Sequence, residues 1–306
     1  ARILQEASES SYRKGGASAS INGESISKEA VMNKLHRLEF PGLKTAEKKE
    51  LRTLYIDADE DHVALQYLEK KGDIRKPRIN TVMPWIIYVY EGVEGDEEGR
   101  PHLINPKYFG GVYDGQEAAS RLWTEVLEYL DEAYDLDAVE RIYINGDGAA
   151  WIRTGEKIIP KSKFALDKYH MHKYIIAATS HLEDSAEDAR GEIYRAIHRK
   201  KKWMAEGAFD RIIGITDKET KRKAVEQAKA YILGNWSGIM IVMKSGDSNV
   251  RCSAEGHVSH VYADRMSSRP LGWCRTGADK MSRLRIYRQN QGNMLELVRY
   301  QKKEMK

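Results

Sequence analysis

Only two of the 306 residues are cysteine, Cys252 and Cys274. Two cysteines exclude a disulfide framework and make a reducing cytoplasm the expected setting. Long apolar runs are missing too. The longest, VMPWIIYVY (82–90) and IMIVM (239–243), fall well short of the roughly 20 residues that a membrane-spanning helix needs. No signal peptide opens the chain, and Ala rather than Met at position 1 leads us to expect further sequence upstream. There is no Gly-x-Gly-x-x-Gly or Walker-type loop and no Gly-x-Ser-x-Gly elbow, so nucleotide hydrolysis and that type of serine chemistry have no support. Cys252, His257 and His260 stand at Cys-x4-His-x2-His, which does not match the usual structural zinc spacings. Internal repeats and low-complexity tracts are also lacking.

What the chain has is charge, nearly balanced: 50 Lys and Arg against 46 Asp and Glu, a net +4, with charged residues at 31% and hydrophobic ones at 41%. That composition belongs to a soluble globular protein, and the length fits about two domains. The balance conceals an asymmetry. From Arg251 to Lys306 twelve Lys and Arg face five acids, a net +7, which leaves −3 for the rest. A basic segment joined to a mildly acidic body points to a polyanion such as nucleic acid, and equally to a solvated basic helix.

Residues 1–50 are polar. ESISKEAVMNKLHRL (24–38) starts at a capping Ser25 or Ser27 and carries Ala30, Val31, Leu35 and Leu38 at helical spacing. After the weaker helix ILQEASESSYRK it reads as a helix-turn-helix candidate that turns Lys28, Asn33, Lys34 and Arg37 toward DNA, although two short helices with a Gly turn are common without DNA. TLYIDA, HVALQYL and NTVMPWIIYVY follow as strands, with EKKGDIRKPRIN as a loop and a turn-rich stretch from Gly92 to Gly115. QEAASRLWTEVLEYLDEAY (116–134) puts Ala119, Leu122, Trp123, Val126, Leu130 and Ala133 on one helical face. Strands at VERIYINGD (139–147) and KFALD (163–167) come next, and a charged helical block runs from Lys168 to about Ala230, including RAIHRKKKW (195–203). Three strands, a helix and two strands predict an α/β fold with an RNase H-like mixed sheet.

Two of these strands end in aspartate. TLYIDADED offers Asp57, Asp59 and Asp61; YINGDG offers Asp147 between two glycines. In the expected sheet the first and fourth strands are neighbours, so their acids can share a hard divalent cation, which prefers oxygen ligands. The alternative for Asp147 is a plain Asp-Gly turn. A third acid, Glu255, lies in the first turn of a helix expected over CSAEGHVSHVYADRMSSRP (252–270), capped by Ser253, with Val258, Ser259 and Tyr262 on one face. There it either complements the helix dipole or joins the aspartates.

LYIDADEDHVALQ (54–66), YINGDGAAWI (143–152), FALDKYHMHKYI (164–175) and CSAEGHVSHVYADRMSSRPLGWCRTGADKMSRLR (252–285) resemble the Mutator-like group of bacterial insertion-sequence DDE transposases, in its Lre-type branch. The resemblance covers nearly the whole chain, from about Ser11 to Lys306. It implies an RNase H-like core (51–170 and 249–306) interrupted by a mostly helical insertion (171–248), behind a small helical element (1–50). It places the catalytic and metal-binding triad on Asp59, Asp147 and Glu255, with Asp57 open as a rival first aspartate. It implies two Mg²⁺ or Mn²⁺ ions, and it aligns Asp167-Lys168-Tyr169-His170 with the Asp- or Cys-x-x-His element of the wider group.

The expected partners are the terminal inverted repeats of the element and target DNA, handled by a homodimer or higher assembly in the cytoplasm, at the nucleoid, with no membrane. The expected DNA contacts are Lys34 and Arg37, His170, Lys200 and Lys201 beside Trp203, and Arg265, Arg269, Arg275, Arg283 and Arg285 after Glu255. The run at 199–202 also reads as a solvated helix face, and Trp151 and Trp273 read as core or platform residues. Two alternatives are a non-transposing nuclease on the same fold and a DNA-binding regulator with a degenerate core.

Overall fold

The computed structural model describes residues 1–20, 24–43, 47–66, 81–247, 249–250, 253–268 and 272–304. In chain order the elements are helices α1 (Arg2–Glu9), α2 (Tyr12–Ser18) and α3 (Lys28–His36), then strands β1 (Thr53–Glu60), β2 (Val63–Ala64), β3 (Thr81–Val82), β4 (Trp85–Tyr90), β5 (Val93–Gly95), β6 (Pro101–Leu103) and β7 (Lys107–Gly111). Helix α4 (Ala118–Ala133) leads to β8 (Arg141–Gly146), α5 (Ala150–Ile158) and β9 (Ser162–Leu166). Helices α6 (Lys168–Thr179), α7 (Ala186–His198), α8 (Lys202–Ile215), α9 (Glu219–Gly234) and α10 (Trp236–Ser245) follow, and α11 (Ala254–Val258), α12 (Asp264–Met266), α13 (Arg275–Gln289) and α14 (Met294–Glu304) close the chain. Five strands make a mixed sheet in the order β7-β4-β1-β8-β9. β1, β4 and β7 pair antiparallel, and β8 and β9 pair parallel. This mixed α/β architecture is consistent with an RNase H-like core plus helical parts.

The chain divides into two compact units, one formed by Ala1–Glu140 with Ser253–Lys306 and the other by Arg141–Cys252. In the first, β4 (WIIYVY) is buried from Ile86 through Tyr90, as the unbroken apolar run of a central strand requires. Helix α4 buries Ala118, Leu122, Trp123, Val126, Tyr129 and Leu130, a stripe at helical spacing in which Ala118 and Tyr129 are buried where Ala119 and Ala133 were expected. In the second unit, Gly238 of α10 lies against β9: a Cβ there would come within 2.8 Å of the Phe164 ring and 3.1 Å of the Leu166 amide.

Three expectations change. The described residues of HVALQYL join no strand of the five-stranded sheet: Val63 and Ala64 pair with Thr81 and Val82 in a separate two-stranded ladder, and Leu65 bridges to Trp273. The third sheet strand is β7, within the stretch read as turns, because its residues KYFGG follow an Asn-Pro turn signal and hold two glycines. Its backbone pairs with β4 from Lys107–Val89 to Gly111–Trp85. RAIHRKKKW is likewise not one helix. Helix α7 ends at His198, α8 begins at Lys202, and Lys200 between them takes a left-handed φ of 57°. The loop expected over 69–80 lies outside the described residues.

Gly238→Ala is expected to destabilise the second unit by about 1–3 kcal/mol, the cost of overpacking a close helix–strand contact; a denaturant titration that leaves the midpoint unchanged would remove that contact from the account.

Candidate active site

Along β1 the side chains alternate: Leu54, Ile56 and Ala58 face one way, Tyr55, Asp57 and Asp59 the other. Asp57 has no exposed surface. Its Oδ2 accepts from the Tyr88 hydroxyl and the Ser253 backbone amide, both at 2.8 Å, and its Oδ1 accepts from the Tyr90 hydroxyl at 3.1 Å. The two tyrosines come from β4, where Tyr88 is the register partner of Asp57 and Tyr90 that of Tyr55. Asp59, opposite Ile86, is half-buried, and its Oδ1 accepts from the Glu60 amide at 2.8 Å. Asp61 turns elsewhere: its Oδ1 accepts from the Ser267 hydroxyl at 3.0 Å and the His62 amide at 2.8 Å, and burial raises its carboxyl above the ordinary range.

The backbone of Glu255 lies in α11, which packs against β1; its side chain is outside the described residues. The Ser253 carbonyl opens the helix by accepting from the Gly256 and His257 amides at 3.1 and 3.3 Å. The Ser253 hydroxyl meets the Tyr88 hydroxyl at 2.7 Å and lies 3.3 Å from Asp57 Oδ2. His257 lies over Tyr88, with ring centroids 4.4 Å apart, and its Nδ1 is 2.9 Å from the Tyr108 hydroxyl. Burial, with His260 adding to it, holds His257 down at about 4. A π-helical turn at Ser259–Ala263 then advances the phase by one residue. Ser259 is therefore exposed, while Val261 and Tyr262 are buried, and the Tyr262 hydroxyl donates to the Trp85 carbonyl at 2.9 Å.

In the second unit Asp147 follows directly on β8. Its Oδ1 accepts from the Ala149 amide at 2.8 Å, an Asx turn into α5. Gly148 has φ of 90°, and its absent Cβ would fall 2.6 Å from the Asn235 Oδ1. The Tyr231 hydroxyl donates to the Asp147 carbonyl at 2.6 Å. Asn235 receives Arg153 Nη1 on its Oδ1 and donates its Nδ2 to the Tyr231 carbonyl, both at 3.0 Å. Tyr231 stacks on Tyr174 at 3.8 Å, and burial, then the negative charge of Asp147, pushes its hydroxyl far above the ordinary value. The end of α9 thus braces the Asp147 turn. Sequence reasoning missed Tyr231 and Asn235; their one signal is the apolar break AYILGNW in a charged block.

Asp167 caps α6 through the Tyr169 amide at 2.8 Å and meets His170 Nδ1 at 2.7 Å, so the Asp-x-x-His element is assembled within this unit.

The expected DNA contacts divide. Lys34, Arg37, Lys200 and Lys201 are exposed, and Trp203 is 70% exposed beside the last two. Arg275 is also exposed and holds both oxygens of Asp114 at 2.7–2.8 Å. Three arginines turn inward. Arg265 is 7% exposed, donates to the Ala7 carbonyl at 3.1 Å and lies 4.8 Å from the Trp273 ring, which is itself core. Arg285 donates to the carbonyls of Ser8, Val261 and His260. Arg283 is bound to Asp279 at 2.9 Å and lies over Tyr113. For Arg265 and Arg285 the reason is physical: Ala7 and Ser8 sit in the last turn of α1, where carbonyls lack intrahelical donors and a cation also complements the dipole. Trp151 is 9% exposed, a core residue too. Arg269 and Cys252 lie outside the described residues.

Among the described residues no three His, Cys, Asp or Glu side chains gather as a metal cage, and no helix is long and apolar enough to cross a membrane. The expected set of Asp59, Asp147 and Glu255 is all oxygen, chemistry that suits Mg²⁺ or Mn²⁺.

The model of an uncharacterised protein family, UPF0236, matches residues 1–304. A UPF0236 protein of Caldanaerobacter subterraneus subsp. tengcongensis is 39% identical over 306 residues, covering 99% of this chain and 61% of that relative. Two others from the same organism are 38% identical, with 61% and 58% of their length covered. The chain thus spans about three fifths of these relatives. Their names carry eleven, four and two loci of that genome. Among solved structures, the Drosophila P element transposase strand transfer complex aligns over 95% of this chain and 78% of that one, at 9% identity and a TM-score of 0.29.

Gly148→Ala forces a φ that non-glycine residues adopt at a cost of about 1–3 kcal/mol and drives a methyl into Asn235; thermal unfolding is expected to show that loss, whereas Arg37→Ala on exposed α3 shifts stability by less than about 0.5 kcal/mol.

Proposed function

The chain belongs to the UPF0236 family, and from that premise we propose that it is the catalytic region of a DDE-type DNA transposase, of the Mutator-like kind that its sequence resembles. One observation carries the reading: Asp57 on β1 accepts from the Ser253 amide at the start of the Glu255 helix, 196 residues away. The aspartate-bearing strand and the glutamate-bearing helix are thereby held together within one unit. A second supporting fact comes from the relatives, since a protein named for eleven loci of one genome fits a sequence that copies itself.

In this reading Asp59, Asp147 and Glu255 hold two Mg²⁺ or Mn²⁺ ions, which supply charge stabilisation at the reacting phosphate. Asp59 is the first aspartate because the oxygens of Asp57 are already engaged by buried donors. Asp167 fixes the orientation of the His170 ring through Nδ1, and His170 is assigned to contact DNA phosphate or to orient a carboxylate. Lys34 and Arg37 on α3, and Lys200 and Lys201 with Trp203 at the α7–α8 turn, are the DNA contacts: lysines and arginine bind backbone phosphate and the exposed indole offers a stacking face. Buried Arg265 and half-buried Arg283 and Arg285, each bonded within the fold, are outside that set. Element ends and target DNA are the substrates. A homodimer or higher assembly brings two ends together, and the work is done at the nucleoid.

Purified protein, extended to the full length of its relatives, is expected to cleave its element ends with Mg²⁺ or Mn²⁺ and to join a freed 3′-hydroxyl to target DNA. Asp147→Asn and Asp59→Asn should each lower cleavage by about 10³-fold or more. Undiminished cleavage by Asp147→Asn sinks the assignment. Cleavage without any joining of pre-cleaved ends would instead identify a nuclease.

A further inference from the structure

We propose that Asp57 is a positioning residue: its buried carboxylate sets where the Glu255-bearing helix begins relative to the strand that carries Asp59. The inference rests on the reading above for its consequence at the metal site, while its geometric part stands alone.

A carboxylate with no exposed surface persists only if donors surround it. Asp57 draws them from two places. Tyr88 and Tyr90 belong to β4, the neighbour of β1, and Ser253 stands immediately before α11. The Ser253 amide is the last backbone donor ahead of the helix, and the Ser253 carbonyl is the helix's first acceptor, so anchoring that one residue fixes the origin of the helix. A closed set of hydrogen bonds secures it. The Tyr88 hydroxyl donates to Asp57 Oδ2 at 2.8 Å, and the Ser253 hydroxyl lies 2.7 Å from the Tyr88 oxygen and 3.3 Å from that same Oδ2. His257, one turn into the helix, then packs on the ring of Tyr88.

The same bonds argue against Asp57 as a ligand. A cation on Oδ2 would displace the Tyr88 hydroxyl or the Ser253 amide and leave a buried donor unpaired. Asp59, two residues on along the same face, is half-buried with one oxygen on the adjacent Glu60 amide. The motif Asp-x-Asp in YIDAD therefore divides its labour: the inner carboxylate holds the scaffold and the outer one meets the ion.

Asparagine separates the two roles. Its carbonyl can take the Tyr88 and Ser253 donors, and its amide can face the Tyr90 hydroxyl, which turns to accept. Position is kept and the negative charge is lost. Three variants, Asp57→Asn, Asp57→Ala and Asp59→Asn, are compared by Mn²⁺ binding, with the free ion as the probe, and by amide hydrogen exchange of residues 253–258. For Asp57→Asn, exchange is expected near wild type, with Mn²⁺ affinity within about tenfold. Asp57→Ala should speed exchange at 253–258 by about tenfold or more and weaken Mn²⁺ by about 10- to 100-fold. Asp59→Asn should abolish Mn²⁺ binding with exchange at 253–258 unchanged. Loss of Mn²⁺ binding in Asp57→Asn as complete as in Asp59→Asn overturns the proposal, and so does unchanged exchange at 253–258 in Asp57→Ala. A wild-type chain that binds no Mn²⁺ sinks the two-metal reading instead, and the exchange measurements still decide the role of Asp57.

Discussion

A buried carboxylate that must be satisfied is the constraint on which the first unit turns. Asp57 sits inside β1 with no contact to water, and an ionised acid in that position is stable only if strong donors are brought to it. Two tyrosines of β4 and one amide from the far end of the chain meet that demand. The register of β1 against β4, which places Tyr88 opposite Asp57, and the docking of α11 are thus two solutions to one electrostatic problem. An apolar residue in that place would demand neither, and neighbouring elements would be free to slide to whatever packing was tightest.

The basic C-terminal segment follows a similar logic. Its +7 suggests a nucleic-acid face, yet its most conspicuous arginines are consumed inside the protein. Arg265 and Arg285 reach the carbonyls at the end of α1, and Arg288 pairs with Glu9 on the same helix. Guanidinium suits this work: it stays charged when buried, and its planar fork serves several carbonyls at once. Charge counted along a sequence does not distinguish a cation that waits for a ligand from one that already has an acceptor in the fold.

Much of the fold was legible. The apolar runs of β1, β4 and β8, the stripe on α4 and the helical character of 168–245 follow from periodicity and β-branched content. What escaped were features decided by tertiary contact. KYFGG is too short and too rich in glycine to declare itself a strand, and it becomes one because β4 offers an edge. HVALQYL has the composition of a strand, but its described residues contribute a two-residue ladder and one isolated bridge and stay outside the five-stranded sheet. The break at Lys200 is invisible in a run of helix-forming lysines. At the candidate site the acids were visible as types and spacings, since Asp57, Asp59 and Asp147 all close aliphatic runs. Their surroundings were not. Nothing local announces that Tyr231 will brace a turn 84 residues earlier, or that the amide of Ser253 will bind a strand 196 residues away.

That last separation has a consequence for biosynthesis. The second unit, Arg141–Cys252, is one continuous stretch, whereas the first is made of two pieces with that stretch between them. A ribosome adds about 5–20 residues per second, so Asp57 leaves the exit tunnel roughly 10–40 s before the amide that completes its shell. Throughout that interval the acid between β1 and β4 lacks its Ser253 donor, and the second unit has its whole sequence only as that amide arrives. The nascent chain therefore acquires its parts out of order, interior first and beginning last, and the early strands are the segment most in need of shelter while they wait.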